Sequence, residues 1–194
     1  MTEPPLILAS TSPYRAQLLG QLDLAFETVA PEVDEHHLDG EDPSAMVSRL
    51  ARAKAAAVAA ERPEAAVLGS DQCLDLDGTI RGKPGGFDAA FAQLQAASGR
   101  TAILRTSVCV IGPGGQEIGR EEAPFTIVFR ELSNSQIRHY LEHDRPFDCA
   151  GSLRAEGRGL ALMRRTESTD PSALKGLPLI ATARLLEAAG LTIL

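Results

Sequence analysis

The sequence predicts an α/β fold: a mixed β-sheet with flanking helices. Three observations carry this. An apolar strand, Leu6 to Ala9, runs straight into a hydroxyl-rich turn and a helix start at Ser12-Pro13. Short apolar runs then alternate with amphipathic helical stretches along the chain. Finally, Thr101 to Ile111 and Glu117 to Phe129 flank Gly112-Pro-Gly-Gly115, the pattern of one long antiparallel hairpin.

The 194 residues are 44% hydrophobic, enough for one sizeable domain with a real core. A formal net charge of -7 argues against nonspecific binding to nucleic acid or to anionic membranes, but leaves room for a small anionic ligand held by local cations. Cys73, Cys109 and Cys149 are far apart, without a C-x-x-C pair, so neither a disulfide framework nor a cysteine zinc site is expected. No apolar run approaches the roughly 20 residues of a membrane helix. Met1-Thr-Glu-Pro-Pro lacks the basic flank of a signal peptide, and the expected location is the cytoplasm.

Taken in order, Ser12 is a good N-cap and Pro13 suits the first helical position of a helix reaching about Gly20. The turn before it offers backbone N–H groups, two serines and a threonine, a natural anion site. Arg15 in the first turn opposes the helix dipole unless an anion sits between them; otherwise it is a solvated cation. Phe26 to Val29 reads as a strand. Pro31-Glu-Val-Asp-Glu35 is a loop of carboxylates, either solvated or bound to a metal–phosphate group. His36 and His37 lack metal-ligand spacing and read as surface residues.

Asp42 or Ser44 opens a long Ala-rich helix ending near Arg62-Pro63, with Val47, Leu50, Ala57 and Val58 as its apolar stripe. Lys54 falls on that stripe and needs a partner or must reach the surface. By the stripe alone, methionine at this position would fold as well. Ala65 to Gly69 reads as a short strand delivering Asp71 at its C-terminal end, where catalytic groups of α/β domains often sit. Asp77-Gly78 is a hairpin turn whose return arm brings Lys83 back toward Asp71. Phe87 to Ala97 is helical, and Ser133 caps a second helix through His143, with Ile137, Tyr140 and Leu141 inward. His139 and His143 read as a solvated face. Cys149 to Gly159 is a Gly-punctuated loop carrying Glu156. Leu160 to Met163 resembles a strand, Asp170 caps a turn at Pro171, and the last helix follows Gly176-Leu-Pro-Leu179 through Ala189, with Leu179, Ala183 and Leu186 inward.

Taken together, Leu8-Ala-Ser-Thr-Ser-Pro-Tyr-Arg15, Pro31-Glu-Val-Asp-Glu35, Arg49-Leu-Ala-Arg-Ala-Lys54, Gly69-Ser-Asp71, Gly82-Lys-Pro84, Cys149-Ala-Gly151 and Gly176-Leu-Pro178 resemble the Maf family of nucleoside triphosphate pyrophosphatases. The ordered set spans most of the chain. The resemblance implies two lobes around a nucleotide-binding cleft, a fold of the Maf and inosine triphosphatase type, and frequently a homodimer. It implies hydrolysis of a nucleotide between its α and β phosphates with a divalent cation, magnesium or manganese. By the same resemblance Ser10, Arg15, Lys54 and Lys83 line the phosphate cleft, Glu32 and Asp71 supply carboxylates, and Asp71 is the catalytic base. A base and a metal ligand are both open to Asp71, and no metal ligand set is read from the sequence.

Within that family the chain resembles the branch acting on 7-methyl-GTP, through Tyr14, Gln72 and Glu156. Tyr14 stands where that branch commonly has tryptophan, which keeps an aromatic face. The alternatives are the same fold acting on UTP, dTTP or another modified nucleotide, and a non-hydrolytic nucleotide-binding regulator linked to cell division.

Overall fold

The computed structural model describes residues 3–194; Met1 and Thr2, part of the stretch read as lacking a signal peptide's basic flank, lie outside the described residues. The sheet is built from β1 (Leu6–Ala9), β2 (Phe26–Val29), β3 (Ala66–Leu76), β4 (Thr79–Arg81), β5 (Thr101–Ile111), β6 (Glu117–Phe129) and β7 (Met163–Ser168). Its order is β2-β1-β3-β5-β6-β7, with β4 paired to the far end of β3. The first three strands are parallel and the remaining pairings antiparallel, so the sheet is mixed.

The helices are α1 (Pro13–Leu19), α2 (Pro43–Glu61), α3 (Phe87–Ala97), α4 (Asn134–Asp144) and α5 (Leu179–Ala188). Their starts follow the side-chain chemistry. The Ser12 hydroxyl accepts from the Arg15 N–H, Asp42 accepts from the N–H groups of Ser44 and Ala45, and Ser133 with Gln136 forms a capping box. Asp77 and Gly78 both adopt positive φ, as a two-residue hairpin turn requires.

Alternation along β3 assigns its faces. Ala66 and Leu68 join Leu6, Leu8, Leu18, Val108, Leu185 and Leu186, under α1 and α5. Val67 joins Ile7, Ala51, Ala55, Val58 and Ile111, under α2. Beyond the end of β1 a separate core takes over: Leu74, Leu76, Leu94, Leu104, Ile127, Phe129, Ile137 and Leu141, covered by α3 and α4. The first two cores, on opposite faces of the same part of the sheet, make one lobe, and this one makes the other.

The structure corrects the sequence reading in four places. β3 does not end before Ser70 but runs to Leu76. Its polar residues continue the ladder because β5 satisfies them: Asp71 pairs with Ser107 and Gln72 with Thr106, and the Ser70 hydroxyl donates to the Ser107 carbonyl. Arg158–Leu162 is a 3-10 turn, curled by the N–H groups of Gly157 and Gly159 donating to the one carbonyl of Arg154; the strand begins only at Met163. That strand is a sheet edge with a mostly exposed polar run, so it carries no apolar alternation. The buried face of α2 runs through Ala51 and Ala55, with Ala57 only half-buried, and that of α5 through Ala181, Thr182, Leu185 and Leu186, with Leu179 and Ala183 half-buried.

Candidate active site

A break in the sheet positions the site. The β1–β3 ladder stops at the Ala9–Gly69 pair, and the β4–β3 ladder begins at Leu74–Arg81. Between them, residues 70–73 of β3 have β5 on one side and no strand on the other. Side chains from both faces of β3 reach this notch. The turn after β1 enters it from one end, and the segment after β4 reaches it from the other.

On one face α2 crosses directly over Gly69. A Cβ there would lie 2.7 Å from the Ala55 backbone nitrogen and closer still to the Ala51 carbonyl oxygen. Only glycine lets the helix approach this far, and the approach sets Lys54 against Asp71. Lys54 Nζ donates to Asp71 Oδ1 at 2.6 Å and lies 3.0 Å from Glu35 Oε1. Lys54 is 5% exposed and Asp71 6%. The buried lysine therefore gains two carboxylates, which is what its place on the apolar stripe demanded.

A cleft of about 270 Å³ opens above this pair, lined by the Ser10–Arg15 turn, Glu35, Lys54, Gln72, Lys83, the Asp148–Glu156 loop and Leu174–Gly176. Ser10 is buried, and its hydroxyl accepts from the Ser12 N–H at 3.1 Å. Arg15 Nε donates to the Gly176 carbonyl at 2.9 Å. Burial pulls the Arg15 guanidinium below its ordinary pKa, opposed by Asp71 and Glu35 at longer range. Among the described residues no carboxylate lies within 4.0 Å of Arg15, Lys83 or Lys175. The cleft thus holds cationic side chains without a protein anion to match, in a chain of net charge -7.

The opposite wall is the loop after α4. Tyr140 donates its hydroxyl to the Ser152 carbonyl at 3.0 Å and accepts from the Arg154 N–H at 2.9 Å. The buried Asp144 accepts from the Arg158 N–H and from Arg158 Nη1. These clamps hold both ends of the segment that presents Glu156. Tyr14 faces the same wall. Its pKa is raised by burial first, then by the neighbouring Cys149 and Asp148, with a smaller contribution from Glu156, while Arg154 opposes. The surroundings of Tyr14 are therefore net acidic.

The structure brings Ser10, Tyr14, Arg15, Lys54, Gln72, Lys83 and Glu156 to one cleft, with Asp71 directly behind Lys54. Glu32 is not brought there: it is exposed, and Glu35 occupies the position beside Lys54. The loop is not a strand, so no periodicity in the sequence separates the two acids; what separates them is which of them meets Lys54 on α2. Gln72 commits Nε2 to Thr106 Oγ1 and to the Ala173 carbonyl, both at 2.8 Å, so only its oxygen is left for a ligand. Lys175 and Asp148 also line the cleft; neither carries a motif that would single it out in the sequence.

Among the described residues no cluster of three or more His, Cys, Asp or Glu side chains could hold a metal by itself. Asp71 and Glu35 nevertheless converge on one ammonium, and two carboxylates completed by phosphate oxygens are an ordinary donor set for a magnesium-sized cation. The residues present fit such an ion when a nucleotide brings the remaining oxygens.

A family model described as Maf-like protein matches residues 5–189. A 7-methyl-GTP pyrophosphatase of Xanthomonas campestris pv. campestris is 51% identical over 191 residues, 98% of this chain and 98% of that protein. A protein of the same name from Nitrosococcus oceani is 47% identical over 191 residues, 98% of this chain and 96% of that protein. Among solved structures, a HAM1 protein from Coxiella burnetii aligns with a TM-score of 0.50 and 15% identity, covering 93% of this chain and 99% of that one, a likeness of fold. Among the described residues no helix is long and apolar enough to cross a membrane.

Proposed function

The chain belongs to the Maf-like protein family, and on that footing we propose that it is a nucleoside triphosphate pyrophosphatase hydrolysing 7-methyl-GTP to 7-methyl-GMP and diphosphate. The observation that carries this reading is the cleft itself: unmatched cations at its wall and, in its lining, Lys54 paired with Glu35 and backed by the Asp71 carboxylate. A triphosphate needs cations and N–H donors aimed at charge spread over several oxygens, and water attack needs a base within reach.

In this reading the phosphates lie against Ser10 and the turn after it, with Arg15 and Lys83 neutralising them. Lys54 orients Asp71 through Oδ1, and Asp71 takes the proton of the attacking water. Glu35 holds Lys54 from the other side. Asp71 and Glu35 would be the side chains to hold a divalent cation, magnesium or manganese, which would supply further neutralisation of the phosphate charge.

The base lies toward Tyr14 and the Asp148–Glu156 loop. A 7-methylguanine ring is cationic, and an aromatic face in acidic surroundings stabilises it by stacking and cation–π attraction. Glu156 accepts from the N1–H and exocyclic amine of guanine, where uracil and thymine present carbonyl oxygens that a carboxylate repels.

The test is diphosphate release from 7-methyl-GTP, GTP, UTP and dTTP with magnesium or manganese, for the wild type and Asp71→Asn. The expected result is a preference for 7-methyl-GTP and a loss of about 10²–10⁴-fold in Asp71→Asn. A preference for UTP or dTTP overturns the substrate assignment, and no diphosphate from any triphosphate overturns the enzymatic one.

A further inference from the structure

Lys175 is a cleft cation that neither the reaction scheme above nor the sequence motifs use. It ends the 3-10 turn Pro171–Lys175, and its side chain is exposed toward the cleft it lines. The backbone around it is fixed on both sides. The Ala173 carbonyl accepts from Gln72 Nε2 at 2.8 Å and from Thr106 Oγ1 at 3.1 Å. The Gly176 carbonyl accepts from Arg15 Nε at 2.9 Å and from Ser70 Oγ at 3.0 Å.

These anchors place Lys175 on the Arg15 side of the cleft. A Cβ on Gly176, its immediate neighbour, would lie 3.5 Å from Arg15 Nε. The Glu156 loop forms the opposite wall. An ammonium on a rigid root, without a carboxylate within 4.0 Å among the described residues, is suited to an anion arriving from solution. Hydrolysis of the α–β anhydride consumes one water and leaves a diphosphate with most of the substrate's negative charge, and that charge must be held while the bond breaks and released afterwards.

We infer that Lys175 is a substrate-contact residue for the outer phosphates and binds the departing diphosphate; this rests on the pyrophosphatase reading of the same cleft. The side chain is flexible and open to solvent, so its contact is strong enough to bind and weak enough to let the product go.

The experiment is calorimetric titration of the whole protein with inorganic diphosphate and, separately, with 7-methyl-GMP, both with magnesium. It is run on the wild type, Lys175→Met and Lys175→Arg, alongside the wild-type assay of diphosphate release. Lys175→Met is expected to weaken diphosphate binding about three- to tenfold while 7-methyl-GMP binding holds, and Lys175→Arg to restore most of the loss. Unchanged diphosphate affinity in Lys175→Met, with wild-type turnover present, overturns this inference alone. Equal weakening of both ligands also overturns it, assigning the lysine to the nucleoside half. A wild type that releases no diphosphate overturns the proposed function and this inference with it.

Discussion

Lys54 Nζ stands 2.6 Å from Asp71 Oδ1, with the two side chains 6% and 8% exposed. A pair this buried is more expensive to break than its net worth suggests, because the survivor is left charged in a poor solvent. The apolar stripe of α2 alone predicts that Lys54→Met folds as well as the wild type. The structure reverses that expectation, since methionine leaves Asp71 buried without its cation. Lys54→Met should lose about 3 kcal/mol in urea unfolding, and Lys54→Met/Asp71→Asn should recover most of it.

Gly69 is the second lever on this pair. Gly69→Ala forces a methyl into the backbone of α2 at Ala51 and Ala55, where no side chain can swing aside. Overpacking of this kind costs about 1–3 kcal/mol, and the shift of α2 carries Lys54 with it. Activity should fall further than stability alone explains. Gly20→Ala is the control: its Cβ would meet nothing within 4 Å, and its φ of -60° suits alanine. Equal effects of the two substitutions would remove Gly69 from the positioning of Lys54.

Cys149 lines the cleft, yet burial pushes its thiol up to about 11, with Asp148 adding to the rise and Arg154 opposing it. At pH 8 roughly one thiol in a thousand is then ionised, and the thiolate is the reactive form. Cys73 and Cys109 are buried, their thiols pushed up to about 12 and about 11. Iodoacetamide labelling of the folded protein at pH 8 should be far slower than in urea and should accelerate as pH rises toward 10. Fast labelling of Cys149 at pH 7 would contradict this environment.

The regular elements were legible because their signals are local. Ser12-Pro13, Asp42, Ser133-Gln136 and Asp77-Gly78 write caps and turns into adjacent residues, and the structure has them at those positions. The inward direction of Lys54 was legible from helical spacing. What escaped depends on the distant chain. β3 continues through Asp71 because β5 satisfies its polar groups, and nothing near Ser70 announces that partner. Choosing Glu35 over Glu32 needs the side of the loop that meets α2. Lys175 acquires meaning only when Arg15 and Ser70, far away in sequence, seize the carbonyl beside it.

The discrimination between bases depends on the wall opposite Arg15. Tyr14 and Glu156 line the cleft together, and the Glu156 segment is clamped by Tyr140 and Asp144 on α4, so its carboxylate is presented from a fixed loop. Losing one paired contact to the base should cost about 1–3 kcal/mol of transition-state binding. The readout is the ratio of kcat/KM for 7-methyl-GTP to that for UTP. Tyr14→Ala removes the aromatic face that a cationic ring uses and should lower the ratio. Glu156→Gln keeps shape but gives up the charge that attracts the methylated base and repels uracil's carbonyls, so it should lower the ratio as well. Because Glu156 is exposed, its substitution should leave the thermal midpoint unchanged. Both variants should retain diphosphate binding, since the phosphate cations are untouched. A ratio that holds in both would show that the base is read elsewhere in the cleft, and would leave Tyr14 as packing and Glu156 as a solvated loop acid.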